Sequence, residues 1–500
     1  MPPRQHFLVL TFPFQGHIAP ALRLARRLLA AAPDALVTFS TTEAAHARMF
    51  PAKQPDGGGG AANEDEDGGR LEFIPFSDGT AAGYGRSGGP NAFNDYMASF
   101  HGAGPRSVAA IADALAARGR PVTRVVYTLL LPWAAAVARD RGVPSALYWI
   151  QPAAVFSIYH HYFHGHVGAV VAEHRHDPSF VVEFPGLPPQ TIGDLPSFLT
   201  DSTDPSDMLH SAYITIRDLI DTLDGEGPKA TVLVNTCQEM EVGALAAMGA
   251  YDVLPVGPVL PSGDESGIFK PEDDAEYMEW LDAKPANSVV YVSFGSLASM
   301  GREQLEELLL GLEESGRPYL CVIRKDVKVA LAEEEAEMHG RVKNGVVVEW
   351  CDQVQVLSHA AVGCFVTHCG WNSVLESVAI GVPMVCVPRI SDQRMNAQLV
   401  VHEWRVGVRA QVDGGGVLRA AEVRRCVDEV MGNSEAAAEL RQMAGKWKGI
   451  VAEATGKGGS SDRNLMAFVD GARTKFPCGV APPLGTTPPR MMTRGGQPNQ

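Results

Sequence analysis

The 500-residue chain is short of positive charge. It carries 42 Lys and Arg against 58 Asp and Glu, a formal net charge of -16 with histidine neutral. That balance argues against binding to a polyanion, because nucleic-acid partners need clustered cations to replace released counterions. Any phosphate the protein handles must be held locally. Paired cysteines are also missing: those at 237, 321, 351, 364, 369, 386, 426 and 478 form no CxxC, so they read as free thiols of a reducing compartment. Cys364, His368 and Cys369 fit no usual zinc spacing, and alternation along a buried strand accounts for Cys364. The apolar run VVYTLLLPWAAAVA falls short of the roughly 20 residues that span a bilayer. The opening MPPRQHFLVLTFPFQGH lacks a cleavage-site pattern, so no secretory signal is expected. These absences lead us to expect a cytoplasmic protein with no membrane span and no nucleic-acid partner, with a monomer as the default.

What remains is an ordinary globular composition, 45% hydrophobic and 20% charged, on a chain long enough for two domains. HFLVLTF (6–12) reads as a buried strand, IAPALRLARRLLA (18–30) as an amphipathic helix, and ALVTFST as the next strand, which makes a parallel βαβ unit. RVVYTLLLPWAAAVARDRGVP, PSALYWI and ATVLVNT (230–236) continue the series. A second series begins with SVVYVSFGS, then a helix over about 302–315, YLCVIR, GVVVEW, GCFVTH and PMVCVP. The fold class expected is α/β: two Rossmann-like, doubly wound parallel-sheet domains facing across a cleft. Their expected limits are 1–255 and 281–455, with a linker at 256–280, a C-terminal helix at 456–472 and a disordered tail at 473–500. A mobile loop is expected at 51–70, where low apolar content cannot offset the cost of ordering. Its EDED resembles a metal-chelating DxD only as letters, and no metal is expected. His160 and His164 are four apart and share a helix face, a pairing that reads as packing of amphipathic rings.

The stretch VTHCGWNS (366–373) lies where a strand should end and a helix begin, the place at which open parallel sheets bind ligands. Gly370 is expected to give the close turn. Asn372 and Ser373 are capping residue types whose side chains and amides can donate to phosphate oxygens, with the helix dipole supplying partial positive charge. Alone, GWNS equally fits a plain cap beneath a buried tryptophan. Its surroundings favour a ligand: Trp350 offers a stacking face, Glu376 can accept from two adjacent hydroxyls, and Asp392 with Gln393 follows the strand PMVCVP. Together these describe a site for a nucleotide diphosphate bearing a sugar. A nicotinamide oxidoreductase shares the βαβ units, but no GxGxxG follows the first strand.

The 44 residues from Trp350 to Gln393 resemble the signature box of plant secondary-product UDP-glycosyltransferases: W..Q...L.H..VG.F.THCGWNS.LE....GVP....P...DQ. The resemblance extends to FPFQGHIAP, FGS (294–296) and NTCQEME, over roughly residues 5–470, and implies a fold of the GT-B type. It implies uracil on Trp350 with Cys351 and Gln353 at its edge, and ribose on Glu376. It places the diphosphate on Ser296, His368, Asn372 and Ser373 around Gly370, and the sugar, with a lean to glucose, on Trp371, Asp392 and Gln393. The substrates implied are a UDP-sugar and a small-molecule acceptor, with no cofactor. Cys351-Asp352 stands where the family usually has Ala-Pro.

PFQGHIAP puts His17 at a helix start, where the dipole disfavours imidazolium and leaves a neutral base for an acceptor hydroxyl. The family normally supplies an aspartate to orient this histidine, and here the aligned residue is Thr128, which brings no charge. A subgroup including crocetin and anthocyanin 5-O-glucosyltransferases shares the substitution. The resemblance therefore implies an inverting, metal-independent glucosyltransferase with His17 and Thr128 as catalytic candidates. The missing aspartate points to acceptors that are already ionised, carboxylic acids or acidic phenols. A UDP-sugar-binding protein with a decayed catalytic pair is the rival reading.

Overall fold

The computed structural model describes residues 4–50, 65–66, 68–84, 91–201, 208–227, 229–260, 275–295, 301–324 and 342–474. Each half is built on one sheet of short strands whose central members are wholly buried, as parallel strands covered by helices on both faces must be. In the first sheet the strands run Asp252–Pro255, Thr231–Val234, Ser145–Trp149, Arg124–Thr128, His6–Leu10, Leu36–Ser40, Leu71–Phe73 and Asp65–Glu66. All pairs are parallel except the last. Counting from His6–Leu10, the central order is third, second, first, fourth, fifth, so the winding reverses between His6–Leu10 and Arg124–Thr128.

The second sheet runs Gly345–Val348, Tyr319–Val322, Val289–Ser293, Val362–Thr367, Met384–Cys386 and Gly407–Arg409, parallel throughout. This is the 3-2-1-4-5-6 order of a doubly wound nucleotide-binding fold, and its reversal lies between Val289–Ser293 and Val362–Thr367. Ligands bind at such reversals because neighbouring loops part to opposite faces and leave a crevice at the strand ends. His17 and Thr128 stand at one reversal, and the VTHCGWNS turn stands at the other.

Helices meet the sheets through their apolar stripes. In Gln15–Ala31, Ile18, Leu22, Ala25 and Leu29 are buried while Arg23, Arg26 and Arg27 lie at its margins. The last two helices bind the halves together. Glu435–Thr455 packs against Trp371–Ile380, whereas Ser460–Thr474 crosses back to the first domain. There Gln5 Nε2 donates to the Val469 carbonyl at 2.9 Å, Asn464 Nδ2 to the Pro255 carbonyl at 2.9 Å, and the Arg124 guanidinium sits 4.5 Å from the Phe468 ring centre.

Some boundaries depart from the expectations. Asp65–Glu66, inside the stretch assigned to a loop, adds an antiparallel edge to Leu71–Phe73; residues 51–64 and 67, and the tail from 475, lie outside the described residues. The helix Ala275–Asp282 begins within the stretch assigned to the linker. Val259, just after the cis Gly257–Pro258 bond, is tied back by donating its N–H to Asn235 Oδ1 at 2.9 Å. Among the described residues, no helix is long and apolar enough to cross a membrane.

Candidate active site

The strand Val362–Thr367 delivers His368 to the mouth of the second sheet. Gly370, expected to make the turn, has an ordinary φ of -60; the left-handed residue is Cys369, at +63. Asn396 Nδ2 holds that conformation by donating to the Cys369 carbonyl at 2.8 Å. Glycine is needed at 370 for space, since a Cβ there would lie 2.4 Å from His368 Nε2. Gly295, at φ +71, approaches the same ring from the other side, where a Cβ would meet Cε1 at 2.6 Å. The imidazole is thus clamped between two backbones. Burial pushes its pKa down to about 4, weakly opposed by the Ser293 carbonyl. Nδ1 is buried without a well-formed hydrogen bond. The ring is neutral at pH 7 and has one nitrogen to offer a ligand.

Gly370 caps the helix Trp371–Ile380 without any side-chain cap, so Asn372 and Ser373 do not play the capping roles expected of them. Their amides, with that of Trp371, open the helix, where backbone N–H groups lack intrahelical partners. Asn372 Nδ2 instead reaches the Gly16 carbonyl at 2.9 Å, and Ser373 Oγ accepts from Gln353 Nε2 at 2.9 Å. The Trp371 ring is buried and donates its indole N–H to the Asn235 carbonyl at 2.9 Å. Only its backbone N–H is left for a ligand.

Gln353 links the next groups. Its Nε2 also donates to Glu376 Oε2 at 2.8 Å, while its Oε1 accepts from the Tyr291 hydroxyl at 3.3 Å. The same hydroxyl lies 3.3 Å from Cys351 Sγ. Trp350, half-buried, lies two residues past the end of Gly345–Val348. Asp352 caps the helix Gln353–Ser358 by accepting from the Gln355 N–H at 3.0 Å. Asp392 is buried, which raises its pKa, and accepts from Asn396 Nδ2 at 2.7 Å. Gln393 Oε1 accepts the N–H groups of Arg389 and Ile390 at 2.9 and 3.1 Å, which leaves its amide nitrogen for a hydroxyl. Ser296 lies outside the described residues.

Across the cleft, His17 sits in the first turn of Gln15–Ala31, its ring centre 5.5 Å from that of Phe12 and 6.3 Å from that of Phe14. Tyr84 and Tyr96 extend this aromatic wall. Desolvation by burial lowers its pKa to about 3. Its Nδ1 is buried and unpartnered. Thr128 does not orient it: the Thr128 hydroxyl accepts the Phe12 N–H at 3.3 Å and lies 3.4 Å from Thr11 Oγ1. The base candidate is neutral but a reluctant proton acceptor, with no charged partner behind it among the described residues.

Arg23 and Gln151, which reach across the cleft, carry no mark in sequence. Arg23 Nη1 pairs with Glu376 Oε1 at 3.2 Å, and Gln151 Nε2 reaches Ser391 Oγ at 3.3 Å. Glu241 accepts the N–H groups of Ala153 and Ala154 at 3.1 and 2.9 Å, fixing the start of the helix Ala153–His164. In that helix the rings of His160 and His164 do meet, tilted at 35° with centres 4.3 Å apart. A closed network through Tyr251 and Asp224 occupies them. No described group of three or more His, Cys, Asp or Glu could hold a metal. A groove of about 900 Å³ shares none of these site residues and is lined by Asp194, Arg405, Arg409 and Arg425 among others. Those arginines are ion-paired to Asp194, Glu439, Glu422 and Glu429, so we place the chemistry at the strand ends.

Two doubly wound domains that face each other, one with open backbone N–H groups at a helix terminus and the other with a neutral histidine, match a glycosyltransferase of the GT-B type. The chain belongs to the plant UDP-glycosyltransferase family. The family described as UDP-glucoronosyl and UDP-glucosyl transferase matches residues 252–440. Crocetin glucosyltransferase of Gardenia jasminoides, labelled chloroplastic, is 41% identical over 486 residues, covering 94% of this chain and 98% of that protein. Anthocyanidin 3-O-glucoside 5-O-glucosyltransferase 1 of Perilla frutescens is 40% identical over 480 residues, with 93% and 98% covered. The structure of Os79 from O. sativa in complex with U2F and trichothecene superposes with a TM-score of 0.77 at 31% identity, covering 93% of this chain and all of that one. The expected resemblance to the crocetin and anthocyanin 5-O-glucosyltransferase subgroup thus holds.

Proposed function

We propose that the enzyme moves glucose from UDP-glucose to a small lipophilic acceptor, a carboxylic acid or an acidic phenol, with inversion and without a metal. The observation that carries this reading is the hydrogen bond from Asn372 to the Gly16 carbonyl. It sets the anion turn one residue from His17, so a sugar on a diphosphate held there would face the imidazole.

In the reaction, the acceptor oxygen bonds to the anomeric carbon as the bond from that carbon to the diphosphate oxygen breaks. The electron pair leaves with UDP. The amides of Trp371, Asn372 and Ser373 and the neutral His368 stabilise the charge that builds there. A phenol gives its proton to His17, whereas a carboxylate has none to give. The carboxylates of the sugar-nucleotide side are already engaged, Glu376 by Arg23 and Gln353 and Asp392 by Asn396, which favours charge stabilisation by dipoles over a bridging cation. Trp350 would carry uracil, Glu376 ribose, and Asp392 with Gln393 the glucose hydroxyls.

Acceptor-dependent UDP release from UDP-glucose, measured over a panel of plant acids and phenols, tests the reading. Release with no acceptor in the panel contradicts transfer and favours a sugar-nucleotide-binding protein, the reading to which the unpartnered His17 Nδ1 lends support. The described cysteines are all buried and unpaired, which supports a reducing compartment. We assign the enzyme to the cytoplasm as a monomer, to be checked by cell fractionation and gel filtration.

A further inference from the structure

Glu376 is held from both domains. Gln353 Nε2 donates to its Oε2 at 2.8 Å, and Arg23 Nη1 meets its Oε1 at 3.2 Å. The pair is largely removed from water, with side chains 16% and 8% exposed for Arg23 and Glu376. It therefore differs from exposed ion pairs, which contribute about 0–1 kcal/mol. Arg23 lies on the helix of His17, six residues further on, roughly 9 Å along the axis. The same Nη1 lies 3.5 Å from the Val259 carbonyl, on the segment leaving the first domain. One side chain thus touches the carboxylate of the nucleotide site and the path between domains, from the helix that presents the base.

We propose that Arg23 is a positioning residue for the nucleotide, fixing the Glu376 carboxylate in the orientation that receives a ribose diol. This rests on the reading of Glu376 as the ribose acceptor. A carboxylate offers about four lone-pair sites, and the two protein donors leave two, as many as a diol's hydroxyls require. Without Arg23 the group is tethered at one oxygen only and is free to turn. The burial that makes the pair strong also makes loss of one partner costly, since the remaining charge is left uncompensated.

The test is calorimetric titration of the full chain with UDP and with 2′-deoxy-UDP, on wild type, Arg23→Met, Arg23→Lys and Glu376→Ala. A hydrogen bond to a charged group corresponds to a preference of about tenfold or more for UDP in the wild type. Arg23→Met is expected to lose most of that preference while its affinity for 2′-deoxy-UDP holds, and Arg23→Lys to keep part of it. In turnover, Arg23→Met should raise KM for UDP-glucose with kcat little changed. Undiminished preference in Arg23→Met overturns the proposal, as does an equal loss for both nucleotides accompanied by a lower Tm. If Arg23→Met does not fold, Arg23→Lys carries the comparison, and an unaltered preference there overturns it. Preference that survives in Glu376→Ala overturns the ribose assignment itself.

Discussion

Replacing Thr128 with aspartate should convert an enzyme suited to ionised acceptors into one that also turns over phenols. The histidine is held neutral by desolvation, with its pKa lowered to about 3, so it accepts a proton reluctantly. Thr128 contributes only a hydroxyl, already engaged with the Phe12 N–H. A carboxylate within about 4–6 Å of an imidazole raises its pKa by about 1–3 units. At about 1.4 kcal/mol per unit, complete proton transfer would gain about 1.4–4 kcal/mol. Transfer is partial in the transition state, so we expect about a tenfold rise in kcat for a phenol, the lower end of that range. A carboxylic acid, ionised at pH 7, should show no gain. The assay is UDP release from UDP-glucose with one acceptor of each kind, on wild type and Thr128→Asp. Unchanged phenol turnover, or an equal change with both acceptors, would refute the reasoning.

Gly370→Ala keeps an allowed backbone but places a Cβ 2.4 Å from His368 Nε2, and Gly295 closes the ring's retreat. Loss of one charge-assisted contact predicts a rise in KM for UDP-glucose of about tenfold or more, with Tm nearly unchanged; kinetics beside thermal melts check this. His6 is buried, hydrogen-bonded to Thr38 and Arg120, and has its pKa lowered by desolvation to about 4. Because the folded state disfavours its protonation, its contribution is complete above pH 6.5 and is lost as pH falls from 6.5 toward 4. His17 and His368 act in the same sense. His6→Gln should therefore flatten the decline in stability by up to about 1.4 kcal/mol per pH unit, read from melts at several pH values; an unaltered slope contradicts the assignment. Removal of divalent ions with EDTA should leave initial rates unchanged, and loss that is restored by Mg²⁺ would contradict dipole-based charge stabilisation.

Strand positions were legible because parallel strands buried on both faces are written as continuous apolar runs. HFLVLTF, SVVYVSFGS and GCFVTH all fall on central strands. The long helices Ala92–Ala117 and Met208–Asp224 were missed: the glycines and Pro105 of the first blur a helical period, whereas the second, with Ala212, Ile216, Leu219, Ile220 and Leu223 buried on one face, carries that period openly. At the site, residue types and spacing located the turn, but tertiary contacts decided what each residue does. Glycine at 370 answers to the imidazole beside it rather than to its own φ, and Trp371 spends its indole on Asn235. Thr128 serves Phe12 instead of His17. Arg23 and Gln151 carried no signal, because a cross-cleft partner is fixed only when the two domains meet.

The central claim is that the strand-to-helix turn at Gly370, with Trp350, His368 and Glu376 around it, grips UDP. Calorimetric titration of UDP into wild type and into the Trp350→Ala, His368→Ala, Glu376→Ala combination tests it most directly. The account predicts binding by the wild type and its loss in the combined variant with the fold retained. Binding that survives the three replacements, or that is absent from the wild type, would contradict it.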